Sequence, residues 1–279
     1  MKAQQPTQQE KGAAFLALHQ QAKAFIVANS WDAGSTRILT SAGFAAIATT
    51  SAGFAFSLGK QDNKVGREAI LQNAADIVAA THLPVSADLE NGFGDSADTA
   101  AETIRIAASI GLVGGSIEDS TYDNANPLYE MAHAADRIRA ASEAARAQPF
   151  PFVLTARAEN FLVGRPNLAD AIKRLQAYQE AGADVLYAPG LTREEDIRAV
   201  VQSVDRPVNV VMGLMGSALD VATLSEIGVK RISVGSALAR RAYGALLDAA
   251  REMMAHGSFR YADQAAPYGE LNNLFAQPL

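Results

Sequence analysis

Two acids separated by one leucine are the first sign of chemistry in this chain. They are Asp88 and Glu90 in SADLENGFGDS, residues 86–96, with glycines following at 92 and 94. The run before them reads as a strand, and on a continuing strand two residues two apart share a face. Asp62 lies in a loop, SLGKQDNKVG, and Glu118 ends another apolar run, VGGSIED. If these four acids converge, their mutual repulsion calls for a cation. An oxygen-only shell completed by water suits Mg²⁺ or Mn²⁺. Cysteine is absent and histidine numbers four, which argues against zinc. Arg157 in TARAEN brings a guanidinium that can hold a substrate carboxylate through two parallel bonds. The same residues also allow plainer roles. A D-x-E pair alone is a weak signal, and either acid could cap the next helix, as Asp95 or Ser96 does by its type and place. Arg157 could simply pair with Glu118 or Glu159, and Trp31 could be a core aromatic at a rim. His19, His82, His133 and His256 fall in helical stretches or at a helix end, so they read as structural or surface residues.

A frame that brings these residues together is written in the sequence as a rhythm. Helical stretches end in Ala-Gly or Ile-Gly and an apolar run follows, as in SAGFAAIAT, SIGLVGGSIE, EAGADVLYA and EIGVKRISV. Glycine ends a helix well because it accepts a left-handed backbone. The runs are apolar throughout, as strands buried on both faces are. Eight strands are expected at 24–29, 44–50, 84–90, 113–119, 152–159, 184–189, 207–212 and 231–235. Helical patterns at 66–81, 96–109, 129–146, 168–181, 192–204, 217–226 and 237–255 alternate with them. The α/β class and a (β/α)8 TIM barrel follow, with chemistry at the C-terminal ends of the strands. A doubly wound sheet is the alternative. The expected organisation is a lead-in and short helix over 1–22, the barrel over 23–256, and an extension over 257–279 that either packs loosely or exchanges with a partner.

With 49% hydrophobic and 19% charged residues, the chain can bury a full core. A formal charge of −6 weighs against a nucleic-acid binder. No apolar run reaches the ~20 residues that span a bilayer, and the N-terminus lacks the apolar core of a signal peptide. A cytoplasmic location is expected.

In these segments the chain resembles the isocitrate lyase / phosphoenolpyruvate mutase superfamily: ANSWDAGSTRILTSAGFAAIATTSAG, LGKQD, PVSADLENGFG, GLVGGSIEDS, TARAENF and EAGADVLYAPG. They occur in the family's order and cover most of the first two-thirds. The resemblance implies a modified (β/α)8 barrel whose last helix swaps between subunits, giving homodimers paired into homotetramers. It implies Mg²⁺ and a 2-oxo acid, with a C–C or C–P bond made or broken beside that fragment. On this pattern Asp88 looks like the direct metal ligand, and Asp62, Glu90 and Glu118 look like acids acting partly through water. The family commonly has D-x-D where this chain has DLE. Ser51 with Ala52 and Gly53 looks like the seat of the substrate's carboxylate and oxo oxygen. Trp31 and Asp32 look like residues lining that pocket, and Arg157 like the arginine beside the substrate.

The departures lie after the fourth strand. Isocitrate and methylisocitrate lyases carry a K-[KR]-C-G-H loop there, and phosphonopyruvate mutases a D-K-x-F-P-K-x-N-S pattern. Here the region reads SIEDSTYDNANPLYE, without cysteine, lysine or histidine. Asn124 or Asn126 stands for the mutase loop asparagine. Pro189-Gly190 replaces the glutamate or histidine that follows the sixth strand in family members. STYDNANP has the composition of a mobile lid, and Tyr122 is its one plausible proton source. The expected activity is a Mg²⁺-dependent carbon–carbon lyase acting on a small 2-hydroxy or 2-oxo carboxylic acid through an enolate. The alternatives are an oxaloacetate-type decarboxylase or hydrolase, C–P chemistry of the phosphonopyruvate type, and a silent member that binds a 2-oxo acid.

Overall fold

In a computed structural model of the chain, residues 5–214, 216 and 219–278 are described. Eight parallel strands close into a barrel in sequence order, β1 pairing with β8. They are β1 (Phe25–Ser30), β2 (Ile47–Thr49), β3 (Val85–Asp88), β4 (Gly114–Glu118), β5 (Val153–Arg157), β6 (Val185–Tyr187), β7 (Val208–Val211) and β8 (Arg231–Ser233). The expected strands are all present and mostly shorter, because pairing ends where the loops of the C-terminal mouth begin. The shortening matters most at β3. It stops at Asp88, and Glu90 turns to φ +51°, so the two acids do not share a strand face as the sequence suggested.

Outside the barrel run α1 (Gln8–Leu18), α2 (Ala33–Ser41), α3 (Ser51–Ser57), α4 (Arg67–Ala79), α5 (Ala97–Ser109), α6 (Met131–Arg146), α7 (Leu168–Glu180), α8 (Glu194–Gln202), α9 (Val221–Ile227), α10 (Ala237–His256) and α11 (Tyr268–Ala276), with a short 3-10 helix at Arg260–Gln264. The glycines that punctuate the sequence do the work expected of them. Gly43, Gly111, Gly182 and Gly228 all have φ between +88° and +104°, a backbone that costs an L side chain strain. The helix expected from 217 begins at Val221 instead, because Asp220 caps it by accepting from Thr223 N at 2.8 Å. Ser217 and Ala218, at the start of that expectation, lie outside the described residues. So do 1–4 of the lead-in and Leu279.

Alanine-rich faces let α5 and α6 pack closely, with Ala100, Ala107, Ala141 and Ala144 all buried. α1 closes the N-terminal end, where Phe15 is fully buried against Phe25 and His19. The C-terminal extension folds back within the chain: Arg37 of α2 lies 5.9 Å from the Phe275 ring of α11. Among the described residues no helix is long and apolar enough to cross a membrane.

Candidate active site

The C-terminal mouth opens into a cavity of about 710 Å³ that runs down inside the barrel. Parallel register sets Glu118, Arg157 and Tyr187 side by side at the tips of β4, β5 and β6. Arg157 is the hub. Its Nη1 donates to Asp88 Oδ1 at 2.9 Å, its Nη2 lies 3.1 Å from Glu118 Oε2, and its Nε donates to Glu159 Oε1 at 2.9 Å. The Tyr187 ring centre lies 5.3 Å from its Cζ. Burial opposes the charge on Arg157, but Glu118, Glu159 and Asp88 outweigh it and hold the guanidinium firmly protonated. Burial also holds Glu118 well above the usual carboxylate range, with Arg157 offsetting part of the rise.

Asp88 is held from the other side by α3. Ser51 donates to Asp88 Oδ2 from its amide at 3.1 Å and its hydroxyl at 2.7 Å. Thr50 caps this helix by accepting from Gly53 N at 3.2 Å. Ser51 and Ala52 line the cavity, whereas Gly53 lies behind it. There a Cβ would stand 2.7 Å from Thr50 Cγ2 and 3.1 Å from Trp31 Cβ, so glycine lets the two segments touch.

The structure places the other predicted residues unevenly. Asp62 stands at the cavity mouth, exposed. Nearby protein and then Asp88's charge push its carboxyl up, an effect that solvent at the mouth moderates. Glu90 is buried beside the cavity, not on its wall, and its Oε1 has no hydrogen-bond donor. Burial, followed by the charges of Asp88 and Asp62, raises it to about 8. Trp31 and Asp32 are not brought to the cavity wall. Asp32 instead caps α2, accepting from Ser35 N at 2.7 Å, because its loop enters that helix at once.

The loop at 120–128 forms one side of the mouth. An antiparallel bridge between Ser120 and Leu128 closes its base. Asn124 faces the cavity, while Asn126 lies on the loop's outer side. Tyr122, at φ +59°, reaches inward. Its hydroxyl donates to Glu118 Oε1 at 3.0 Å and accepts from Asn91 N at 3.1 Å. Burial and the Glu118 charge raise the phenol far above its usual value.

Sequence reasoning missed Arg137, Arg174 and Tyr178, which with Asp119 brace this assembly. Asp119 accepts from Glu159 N at 2.8 Å, Tyr178 Oη at 2.5 Å and Arg174 Nη1 at 3.1 Å. Buried Arg137 donates to the backbone carbonyls of Asn91, Gly94 and Glu118, tying the third and fourth loops together. The available signal was Arg174 and Tyr178 standing four apart on one helix face.

The donor set fits a hard cation. It is oxygen-only, and the orphaned Glu90 Oε1 is an acceptor that a hydrated ion's water could satisfy. Among the described residues no three acids form a ready ligand cluster, since Arg157 sits in their midst. A cation here would take few ligands directly from the protein and the rest as water.

A family model described as phosphoenolpyruvate phosphomutase matches residues 15–254. The chain belongs to that family. A protein of Burkholderia cenocepacia J2315, provisionally assigned as a lyase/mutase, has 56% sequence identity with a TM-score of 0.95 over 97% of each chain. The 2-methylisocitrate lyase of Bacillus subtilis (strain 168) is 28% identical over 211 residues, 73% of this chain and 68% of the relative. A 2,3-dimethylmalate lyase of the PEP mutase/isocitrate lyase superfamily has 25% identity and a TM-score of 0.83, covering 95% of this chain and 94% of that one. The chain is therefore a lyase/mutase-type enzyme on a (β/α)8 barrel.

Proposed function

We propose that the chain is a Mg²⁺-dependent carbon–carbon lyase acting on a small 2-hydroxy or 2-oxo carboxylic acid through an enolate. The observation that carries this reading is Arg157 held among Asp88, Glu118 and Glu159 at the strand tips. Asp88, with Asp62, Glu90 and Glu118 acting through water, would hold the ion. Bound there, Mg²⁺ supplies charge stabilisation for an oxygen that becomes negative as the bond breaks. Arg157 neutralises the substrate carboxylate, and the N-terminal turn of α3 at Ser51 and Ala52 seats its oxygens. Tyr122 and Glu118 share the proton that quenches the carbanion, and the 120–128 loop keeps bulk water away. The large apolar side chains exposed on and after α10, among them Leu246, Met254 and Phe259, support assembly as a homodimer or homotetramer.

The test is to incubate the protein with Mg²⁺ and a panel of dicarboxylates and to measure release of pyruvate or glyoxylate. Metal-dependent release is expected; no turnover on any acid, with metal bound, overturns the reading. The alternative reading is an oxaloacetate-type hydrolase or decarboxylase. Supplying oxaloacetate and measuring oxalate, acetate and carbon dioxide separately divides the two.

A further inference from the structure

One peptide beside the barrel mouth is held from several sides. Its N–H, that of Asn91, donates to Tyr122 Oη at 3.1 Å, while the same hydroxyl donates to Glu118 Oε1 at 3.0 Å. Its carbonyl, Glu90 O, accepts from Glu118 N at 3.0 Å. The next carbonyl, Asn91 O, accepts from Arg137 Nη2. The Asn91 side chain, 5% exposed, is spent in the same place. Its Nδ2 donates to Ser120 O and to Tyr129 Oη, both at 3.2 Å, and its Oδ1 accepts from Phe93 N at 3.0 Å. Ser120 is one end of the 120–128 loop and Tyr129 follows the other, so a single amide group fastens both ends. Glu90 and Phe93, on either side of it, have φ of +51° and +63°, and Tyr122 has +59°. Side chains rarely adopt that backbone unless surrounding bonds hold it, and such strain gathers where a group must be aimed.

We propose that Asn91 is a positioning residue for Tyr122. Its side chain fixes the ends of the loop, and its amide N–H seats the phenol oxygen. With that donor occupying one side of the oxygen, the O–H points to Glu118 and the cavity rather than to solvent. Asn91 does not line the cavity, so it acts on a substrate only through Tyr122. The consequence for turnover rests on the lyase reading; the placement of the phenol does not.

Steady-state kinetics on an acid that the wild type cleaves is the first test. Asn91→Ser keeps a cap for Phe93 N but is too short for Ser120 and Tyr129. It should lower kcat roughly tenfold with KM little changed, the scale of a misaimed catalytic group. In a Tyr122→Phe background the same substitution should cost under about twofold, because the group it aims is gone. Equal losses in both backgrounds overturn the proposal, as does a raised KM with kcat intact. Hydrogen exchange at the Asn91 amide, followed by NMR on the full chain, is the second test. Slow exchange is expected in the wild type, sped about tenfold or more by Tyr122→Phe. Fast exchange in the wild type, or a rate that Tyr122→Phe leaves unchanged, overturns the placement. If no acid is cleaved, the lyase reading falls and the exchange result still decides this one. Should circular dichroism show Asn91→Ser unfolded, Tyr129→Phe, which removes one acceptor of Nδ2, replaces it in the same cycle.

Discussion

Two buried arginines occupy the barrel interior one layer apart and live in opposite surroundings. Arg157, at the mouth, has three carboxylates within 3.1 Å. Arg231, at the start of β8, has none among the described residues. It donates to Asn209 Oδ1 at 2.9 Å and Thr155 Oγ1 at 2.8 Å, with His19 Nε2 3.5 Å away. Burial lowers Arg231 to about 10, whereas the acids hold Arg157 well above its ordinary value. Buried charges are normally paired or satisfied by dipoles, and this barrel uses each solution once. The upper layer can exchange partners when an anion or a cation enters. The lower layer, made of neutral dipoles, has nothing to exchange and serves as a fixed floor.

That contrast can be broken in graded steps. Arg157→Met should reduce turnover by roughly a thousandfold, since it removes a preorganised charge at the reacting end. Steady-state kinetics would show it, and a loss under tenfold would make the upper layer structural. Tyr122→Phe should lower kcat by about a hundredfold, the scale of a lost general acid, with KM little changed; a fall under fivefold would reduce Tyr122 to a latch. Arg231→Met should cost about 1–3 kcal/mol of stability by stranding the acceptors on Asn209 and Thr155. Denaturant melts would measure this, and turnover should stay within about tenfold. A collapse in activity matching Arg157→Met would erase the distinction between the layers.

A pH slope probes the floor without altering the mouth. Burial, then the Arg231 charge, lowers His19 to about 3 against an ordinary 6.5. Between those values the unfolded chain binds a proton that the folded chain refuses. The contribution of His19 is therefore fully present above pH 6.5 and is lost as pH falls toward 3. The wild type should lose up to about 1.4 kcal/mol per pH unit relative to a His19→Gln variant in that window. Parallel slopes for the two proteins would show that His19 is solvated.

The barrel was legible because both of its signals are local. A glycine after a helix and an apolar run after that glycine need no knowledge of distant residues. The mouth was legible where strand tips carry acids, and less so where the backbone turns. Leu89 looks like one more strand residue, yet the regular ladder ends before it, and Glu90, at φ +51°, is buried beside the cavity. α3 was hidden because Ser-Ala-Gly reads as a loop; its cap, Thr50, also fits a strand end. The floor escaped notice for a different reason. Thr155, Asn209 and Arg231 come from three separate apolar runs, and closing the barrel is what brings them into bonding distance. Asp32 shows the reverse: a residue conspicuous beside Trp31 whose carboxylate is used up within three residues.

The bridge between Ser120 and Leu128 gives the loop it closes a practical meaning for protein engineering. A segment with a paired stem can be replaced as a cassette, its ends held in register while its tip varies. The braces beneath it, Arg137 and Asp119, lie outside the cassette and keep the acids and Arg157 in place. Libraries confined to residues 121 and 123–127, sparing Tyr122, would therefore sample new mouths on an undisturbed frame, which is a small search compared with redesigning the barrel.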